Sequence, residues 1–335
     1  MNLANRSLLL SRLLLVLRVS SATMSGSCSA PSSTSKFPTS LQGFGYAFNE
    51  DGKLCQLDPA TGKAGCKPFV FNVSEDHSFN QQRYEALGDL ITEYVYDLLS
   101  NEVGLQKWPV PKGGDPSSFI FATEDALTNP DKLMVLIHGS GVVRAGQWAR
   151  SLIINDNIKS GTQIPYIERA RALGYAVLVL NTNDNVRVVG DERIPIKGSS
   201  SPIEHATWVW ENYVKQAKAK KIAVVAHSFG GFCAVELAGS QFEDFSSRVF
   251  AIALTDSVHT LHRLRNVKSK NVKEYLCKVG RNWVSSSEPL DELIDDIKNE
   301  DIIAVSAGHK KHEMTSWSCI DSLFKYVEER YHSDN

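Results

Sequence analysis

Acidic residues are missing from the first 49 positions of this 335-residue chain, and several other absences narrow what it can be. No run of 18 apolar residues occurs, so no membrane-spanning helix is expected. The six cysteines (Cys28, Cys55, Cys66, Cys233, Cys277 and Cys319) form no Cys-x-x-Cys pair, which removes the spacing used by zinc and dithiol redox sites. No glycine-rich phosphate loop follows the first strand of the α/β pattern, and no metal cluster is apparent, so no cofactor is implied. With 36 basic against 38 acidic residues, the net charge of −2 supplies no global basic field. Direct nucleic-acid binding is therefore not expected, and any such role would run through partners.

What the N-terminus does contain is arginine within apolar sequence. Arg6 precedes "SLLLSRLLLVLRVS" (Ser7 to Ser20), Arg12 and Arg18 interrupt it, and a serine-rich tail follows. Arg12 splits what would be a secretory h-region, so the pattern resembles a mitochondrial presequence more than a signal peptide. Met24 offers an alternative start, and mitochondrial targeting, secretory targeting and no targeting all stay open. Residues 1–40 are set aside as a disordered or targeting segment. Secretion would suit a Cys55–Cys66 pair and the sequon Asn72-Val73-Ser74; otherwise free thiols are expected.

Beyond residue 40 the 42% hydrophobic content is enough for one large core. Asp51-Gly52 and Asp58-Pro59 turn signals separate short apolar runs between Phe44 and Asn72, which predicts a small antiparallel meander. Residues 79–103 carry Tyr84, Leu87, Ile91, Tyr94, Val95, Leu98 and Leu99 at helical spacing, and "WPVPKGGDP" (Trp108 to Pro116) breaks that helix. Apolar strands are then expected at 118–123, 132–139, 175–181, 221–228, 248–257, 282–287 and 302–308. Helices are expected near 146–154, 164–173, 203–220, 230–241, 265–278, 290–299 and 315–331. Strands this apolar, without alternation, suit burial on both faces of a mostly parallel sheet. The expected fold is thus α/β, doubly wound and α/β-hydrolase-like over 116–332, with a meander-plus-helix extension over 41–115 packed on the core.

One stretch carries chemistry. In "IAVVAHSFGGFCAVELAG" (Ile222 to Gly239) an apolar strand runs into Ser228 and a helix pattern begins within two residues, the context of a nucleophile elbow. Such a turn is strained and needs small residues two before and two after the serine, here Ala226 and Gly230. The strand ending at His138 leads into Gly139-Ser140-Gly141, where an oxyanion loop belongs, and the backbone N–H of Phe229 would be the second donor. The chain order of such a triad is Ser, acid, His. His309 and His312 both follow the last strand, and His312 is preferred as the base. For the acid, Asp291 ranks above Asp256, and Asp256 above Glu288; helix N-capping is the other use for an acid in such loops. His138 is expected to order the oxyanion loop and His227 to pack or hydrogen-bond locally, while His259 either lines the pocket or lies at the surface. A metal role for His309 and His312 is disfavoured because no third ligand sits at a recognisable spacing.

At Leu127–Asn155 ("LTNPDKLMVLIHGSGVVRAGQWARSLIIN"), "SGTQIPYIERA", "AHSFGG", "LTDSVH", "NWVSSSEPLD" and "HEMTSW" the chain resembles the cotranscriptional regulator family with the Argonaute-binding (Arb-two) domain, over about residues 41–330. The resemblance implies an α/β-hydrolase-like fold. It also implies a protein of nucleus and cytoplasm that associates with Argonaute and with chromatin or splicing factors, acting on alternative splicing or small-RNA-linked silencing. Longer members carry a lysine-rich insertion after the "NTND" strand, with an associated nuclear-import signal; here "NTNDNVRVVGDERIPIKGSSS" crosses directly to the next helix. Two functions follow as expectations: a regulatory binding module that keeps the fold, or a serine hydrolase acting on a small acyl ester.

Overall fold

A computed structural model describes residues 36–259, 261, 267–294 and 301–333. The N-terminal targeting expectation and Cys28 lie outside them. The meander forms as β1 (Tyr46–Phe48), β2 (Leu54–Leu57) and β3 (Ala64–Pro68), a three-stranded antiparallel sheet. Helix α1 (His77–Asp97) follows, its first turn capped by Asp76, which accepts from the Ser78 N–H at 2.8 Å, and a π-helical turn (Leu98–Glu102) continues it.

The main sheet has eight strands: β4 (Gln106–Val110), β5 (Ser118–Ala122), β6 (Lys132–Ile137), β7 (Ala176–Val179), β10 (Lys221–His227), β11 (Val249–Thr255), β12 (Gly280–Val284) and β13 (Ile303–Ser306). Between β7 and β10 a two-stranded hairpin forms, β8 (Val186–Val189) with β9 (Glu192–Pro195). The spatial order of the main sheet is β13-β12-β11-β10-β6-β7-β5-β4, parallel from β13 to β7, with β5 antiparallel to both its neighbours. The helices are α2 (Arg150–Asn155), α3 (Ile158–Gly161), α4 (Ile164–Ala172), α5 (Pro202–Asn212), α6 (Phe229–Ser240), α7 (Phe242–Arg248), α8 (Val267–Val279), α9 (Thr315–Ser318) and α10 (Ile320–Ser333).

Alternate residues of the central strands face two separate apolar layers. Met134, Leu136, Ala223 and Val225 join one layer, while Leu133, Val135, Ile222 and Val224 join the other. That is why these strands read as unbroken apolar runs: each side chain meets a helical layer, whichever way it points. The first layer also contains Tyr46, Leu54 and Phe69 of the meander and Leu87, Ile91 and Val95 of α1, so the extension shares the core of the sheet. Each fully buried aliphatic of this kind contributes roughly 1.5–3 kcal/mol of transfer free energy.

Four expectations change. "WPV" is not only a helix breaker, because Trp108, Pro109 and Val110 sit in β4, with Pro109 opposite Phe119. Proline is tolerated there because β4 is an edge strand and its missing N–H costs no ladder bond. The crossing after Asn181 is not direct, since the β8–β9 hairpin fills it, turning at Gly190 with φ +62°. The helix expected over 290–299 is absent at its start: the Asp291 and Ile294 N–H groups bond to the carbonyls of Ser306 and Ala304 and line the β13 edge, and 295–299 lie outside the described residues. The 203–220 helix ends at Asn212, with a short 3-10 turn (Val214–Gln216) after it. The five described cysteines are free, Cys55 buried and Cys66 exposed.

A Cβ on Gly230 would lie 2.4 Å from the Ile137 carbonyl oxygen and 2.7 Å from that of His138. Both obstacles are backbone, so Gly230→Ala should destabilise the chain by about 1–3 kcal/mol, read as a lower urea midpoint at unchanged m-value.

Candidate active site

Three adjacent strands end side by side, and their ends build the site. β6 ends at Ile137, β10 at His227 and β11 at Thr255, with Ala226 opposite Ile137 and His227 opposite Thr255. Ser228, the next residue, has φ +53° and ψ −120° and caps α6. Its N–H donates to the Thr255 carbonyl at 3.0 Å, and its own carbonyl accepts from Gly231 at 3.1 Å and from Val258 at 3.2 Å. The elbow is therefore stitched to the loop that follows β11. Gly231 is also required, because a Cβ there would meet the Ser257 hydroxyl at 1.8 Å.

Asp256 opens that loop, likewise in the left-handed region with φ +42°. Its N–H donates to the Trp283 carbonyl at 2.8 Å, and its Oδ1 accepts from the Ser285 N–H at 3.1 Å. Its Oδ2 lies 2.7 Å from His312 Nδ1. The carboxylate is 5% exposed and the imidazole 42%, so the acid is enclosed while the base stays reachable from solvent. A proton on His312 Nδ1 is held by Asp256, which leaves Nε2 as the basic lone pair.

This geometry reverses the expected order of acids. The Asp291 carboxylate accepts from the Trp283 indole N–H at 2.8 Å and from the Ser322 hydroxyl at 2.5 Å, tying β12 to α10 instead of facing His312. Asp256 follows the strand adjacent to the serine strand, whereas Asp291 follows the strand beyond it. Glu288 is exposed, its N–H bonded to the Ser286 hydroxyl. His309 also sits apart: its Nδ1 accepts from the Lys311 N–H at 3.0 Å, and its carbonyl accepts from Ser286. His259 lies between the Ser257 hydroxyl at 2.8 Å and Asp301 at 3.1 Å, its side chain 6% exposed.

The loop after β6 packs on the serine, and a Cβ on Gly139 would lie 3.0 Å from the Ser228 Cβ. His138 Nδ1 donates to the Gly139 carbonyl at 2.8 Å, and the Asn183 amide donates to the same oxygen at 2.9 Å. In a trans peptide the N–H points opposite to the C=O, so fixing the Gly139 oxygen turns the Ser140 N–H the other way. Arg144 bonds back to the carbonyls of Gly141 and Val143, steadying the rest of the loop. On the far side of the serine, the Phe229 N–H opens α6 and has no intrahelical acceptor.

His227 packs and hydrogen-bonds locally, as expected, and also packs beside His312. Its ring centroid lies 4.6 Å from that of His312, with 35° between the planes. Its Nδ1 lies 3.0 Å from the Thr255 carbonyl, 3.1 Å from the Thr255 hydroxyl and 3.3 Å from the Ser316 hydroxyl. The carbonyl can only accept, so Nδ1 carries the hydrogen. Burial, with His312 the next cause, pushes the His227 pKa down to about 3, so a neutral ring backs the base. One side chain thereby links the serine strand, the acid strand and the helix after the base.

With this geometry in view, relatives place the chain. A profile of the Arb2 domain matches residues 37–290. The chain belongs to the Arb2-domain family. It is 44% identical over 345 aligned residues to the human protein named cotranscriptional regulator ARB2A, covering 88% of this chain and 81% of that one. A Dictyostelium discoideum homologue of that name is 32% identical, over 86% of this chain and 79% of its own. Among solved structures, the histone deacetylase Clr3 superposes with a TM-score of 0.52 at 17% identity, over 80% of this chain and 41% of that one. A histone deacetylase from Saccharomyces cerevisiae gives 0.50 at 12%, over 74% and 98%. At those identities the likeness speaks to the fold alone. This Arb2-family fold is α/β-hydrolase-like, a mostly parallel sheet with a small N-terminal antiparallel one. Among the described residues, no group of three His, Cys, Asp or Glu side chains is placed to hold a metal, and no helix is long and apolar enough to cross a membrane.

Two measurements check this geometry. A hydrogen bond as short as His312–Asp256 should give a far-downfield imidazole proton resonance, abolished by Asp256→Asn and retained in Asp291→Asn. Burial also lowers His138 to about 4 and His205 to about 3, so with His227 three histidines stay neutral in the fold and protonate when it opens. The unfolded chain then binds more protons than the folded one below pH 6.5, and stability falls as the pH drops toward 4. The expected slope is about 1.4 kcal/mol per pH unit for each histidine, measured as urea midpoints between pH 7.5 and 4.5.

Proposed function

We propose that this chain is a cotranscriptional regulator built on an α/β-hydrolase fold, working through association with Argonaute and with chromatin or splicing factors. The observation that carries this reading is the 44% identity to human cotranscriptional regulator ARB2A along 88% of the chain. The regulatory surface would be carried by the outside of a rigid two-layered core. Nuclear and cytoplasmic residence belongs to the same reading. Recovery of Argonaute or splicing factors with the full chain in a pull-down is the expected outcome; recovery of soluble metabolic enzymes alone would refute it.

One observation favours a second activity beneath the first, the Asp256–His312 hydrogen bond at the end of the strand next to the one that carries the strained Ser228, whose hydroxyl makes no hydrogen bond to His312 among the described residues. In this reading His312 takes the Ser228 proton as the hydroxyl attacks the carbonyl of a small acyl ester. The alkoxide leaves with that proton, and water, activated by the same base, releases the acid from the acyl-serine. Asp256 holds the imidazolium, and the N–H groups of Phe229 and of the Gly139-Ser140-Gly141 loop stabilise the oxyanion. A fluorophosphonate probe should label the wild type and leave Ser228→Ala unlabelled, with Asp256→Asn slowed by at least about 100-fold and Asp291→Asn unchanged. A folded wild type that takes no label would leave the binding module alone standing.

A further inference from the structure

Arg150 opens α2, and it is 8% exposed. Its guanidinium packs against α1: a Cβ on Gly88 would sit 2.4 Å from its Nη1, and the Tyr84 ring centroid is 5.3 Å from its central carbon. The missing side chain at Gly88 is what admits it. Its Nε is enclosed without a partner, and among the described residues the guanidinium makes no hydrogen bond and no ion pair.

Other partly buried arginines are treated differently. Arg248 bonds Asp244 through Nε at 3.1 Å and Nη2 at 2.7 Å, and reaches the carbonyls of Val214, Ala217 and Ala219. Arg187 is paired with Asp184 and also bonds the Ser117 carbonyl at 2.8 Å. A guanidinium cannot escape its charge by losing a proton, so a buried one needs an anion or acceptors. The neighbouring acid, Asp89, feels the charges of both Arg150 and Arg144 yet forms an ion pair with neither. Arg144 spends its own donors on the carbonyls of Gly141 and Val143 and adds a second positive charge to the same corner.

We propose that Arg150 anchors an oxyanion site between α1 and α2, taking a carboxylate or phosphate group. Of its nitrogens only Nε is fully enclosed, so the Nη1 and Nη2 donors are what a ligand meets, and that pair suits two oxygens of one planar or tetrahedral anion.

The test is thermal melting of the full chain in inorganic phosphate and in acetate, each against sodium chloride of equal ionic strength. A saturable rise in melting temperature over the chloride curve is expected, and the anion with the lower half-saturating concentration identifies the ligand group. Arg150→Lys, which keeps the charge and loses the fork, should raise that concentration at least about tenfold. Asp89→Asn removes the nearest competing carboxylate and should lower it. Melting curves that superimpose on chloride for both anions would overturn the proposal. So would half-saturating concentrations unmoved by both substitutions, a comparison that holds even where Arg150→Gln fails to fold.

Discussion

The contact on which the site depends is a backbone-to-backbone one: α6 begins so close to the end of β6 that only glycine fits at position 230. With the helix start fixed against the Ile137 and His138 carbonyls, the chain leaving β10 has one residue in which to turn, and Ser228 takes the left-handed conformation that results. The same closeness brings Gly139 against the serine Cβ. Strand, glycine loop and helix are thus three consequences of one steric limit, and the ladder from β10 to β11 then sets the Asp256 loop beside the serine backbone.

Around that limit the polar groups form a closed circuit. Thr255 receives the Ser228 N–H and the His227 ring on its carbonyl, and its hydroxyl lies 2.8 Å from that of Ser316. The Ser316 carbonyl in turn accepts from the Tyr166 hydroxyl at 2.5 Å, which reaches across from α4. Residues from four distant parts of the chain hold one another, and His312 joins them through the neutral His227 ring and the Asp256 carboxylate. Buried networks of this kind are stable only when every member is satisfied, because each unpaired group would cost its full desolvation.

How much of this was readable depended on whether the controlling physics is local. The seven apolar strand runs and the elbow were legible, since burial on both faces and a tight strand-to-helix turn leave direct marks in composition. The choice between Asp256 and Asp291 was not, because both follow strands in suitable loops and only the lateral order of strands decides which one reaches His312. β4 was hidden by Pro109, which argues against a strand except at an edge, and edges cannot be seen before the sheet is assembled. The local hydrogen bonding of His227 was legible from alternation along β10, but its packing beside the ring that arrives from residue 312 was not. Arg150 left no pattern at all, since its burial depends on a glycine 62 positions earlier, as their numbers show.

Fold maintenance alone does not account for the residues at the ends of β10 and β11. Positive φ costs a non-glycine residue of order 1–3 kcal/mol, and glycine would relieve it at either place. Instead a serine stands at 228 and an aspartate at 256, the latter 5% exposed beside an imidazole whose neighbouring ring stays neutral. Burying a carboxylate in that position is unfavourable unless the partner it bonds is worth holding. The strain and the buried charge fall at the ends of neighbouring strands, and glycine at both positions would relieve both. Asp291 shares the left-handed conformation, with φ +69°, while tying Trp283 to Ser322, so it is the Asp256–His312 hydrogen bond, more than backbone strain, that sets the loop after β11 apart.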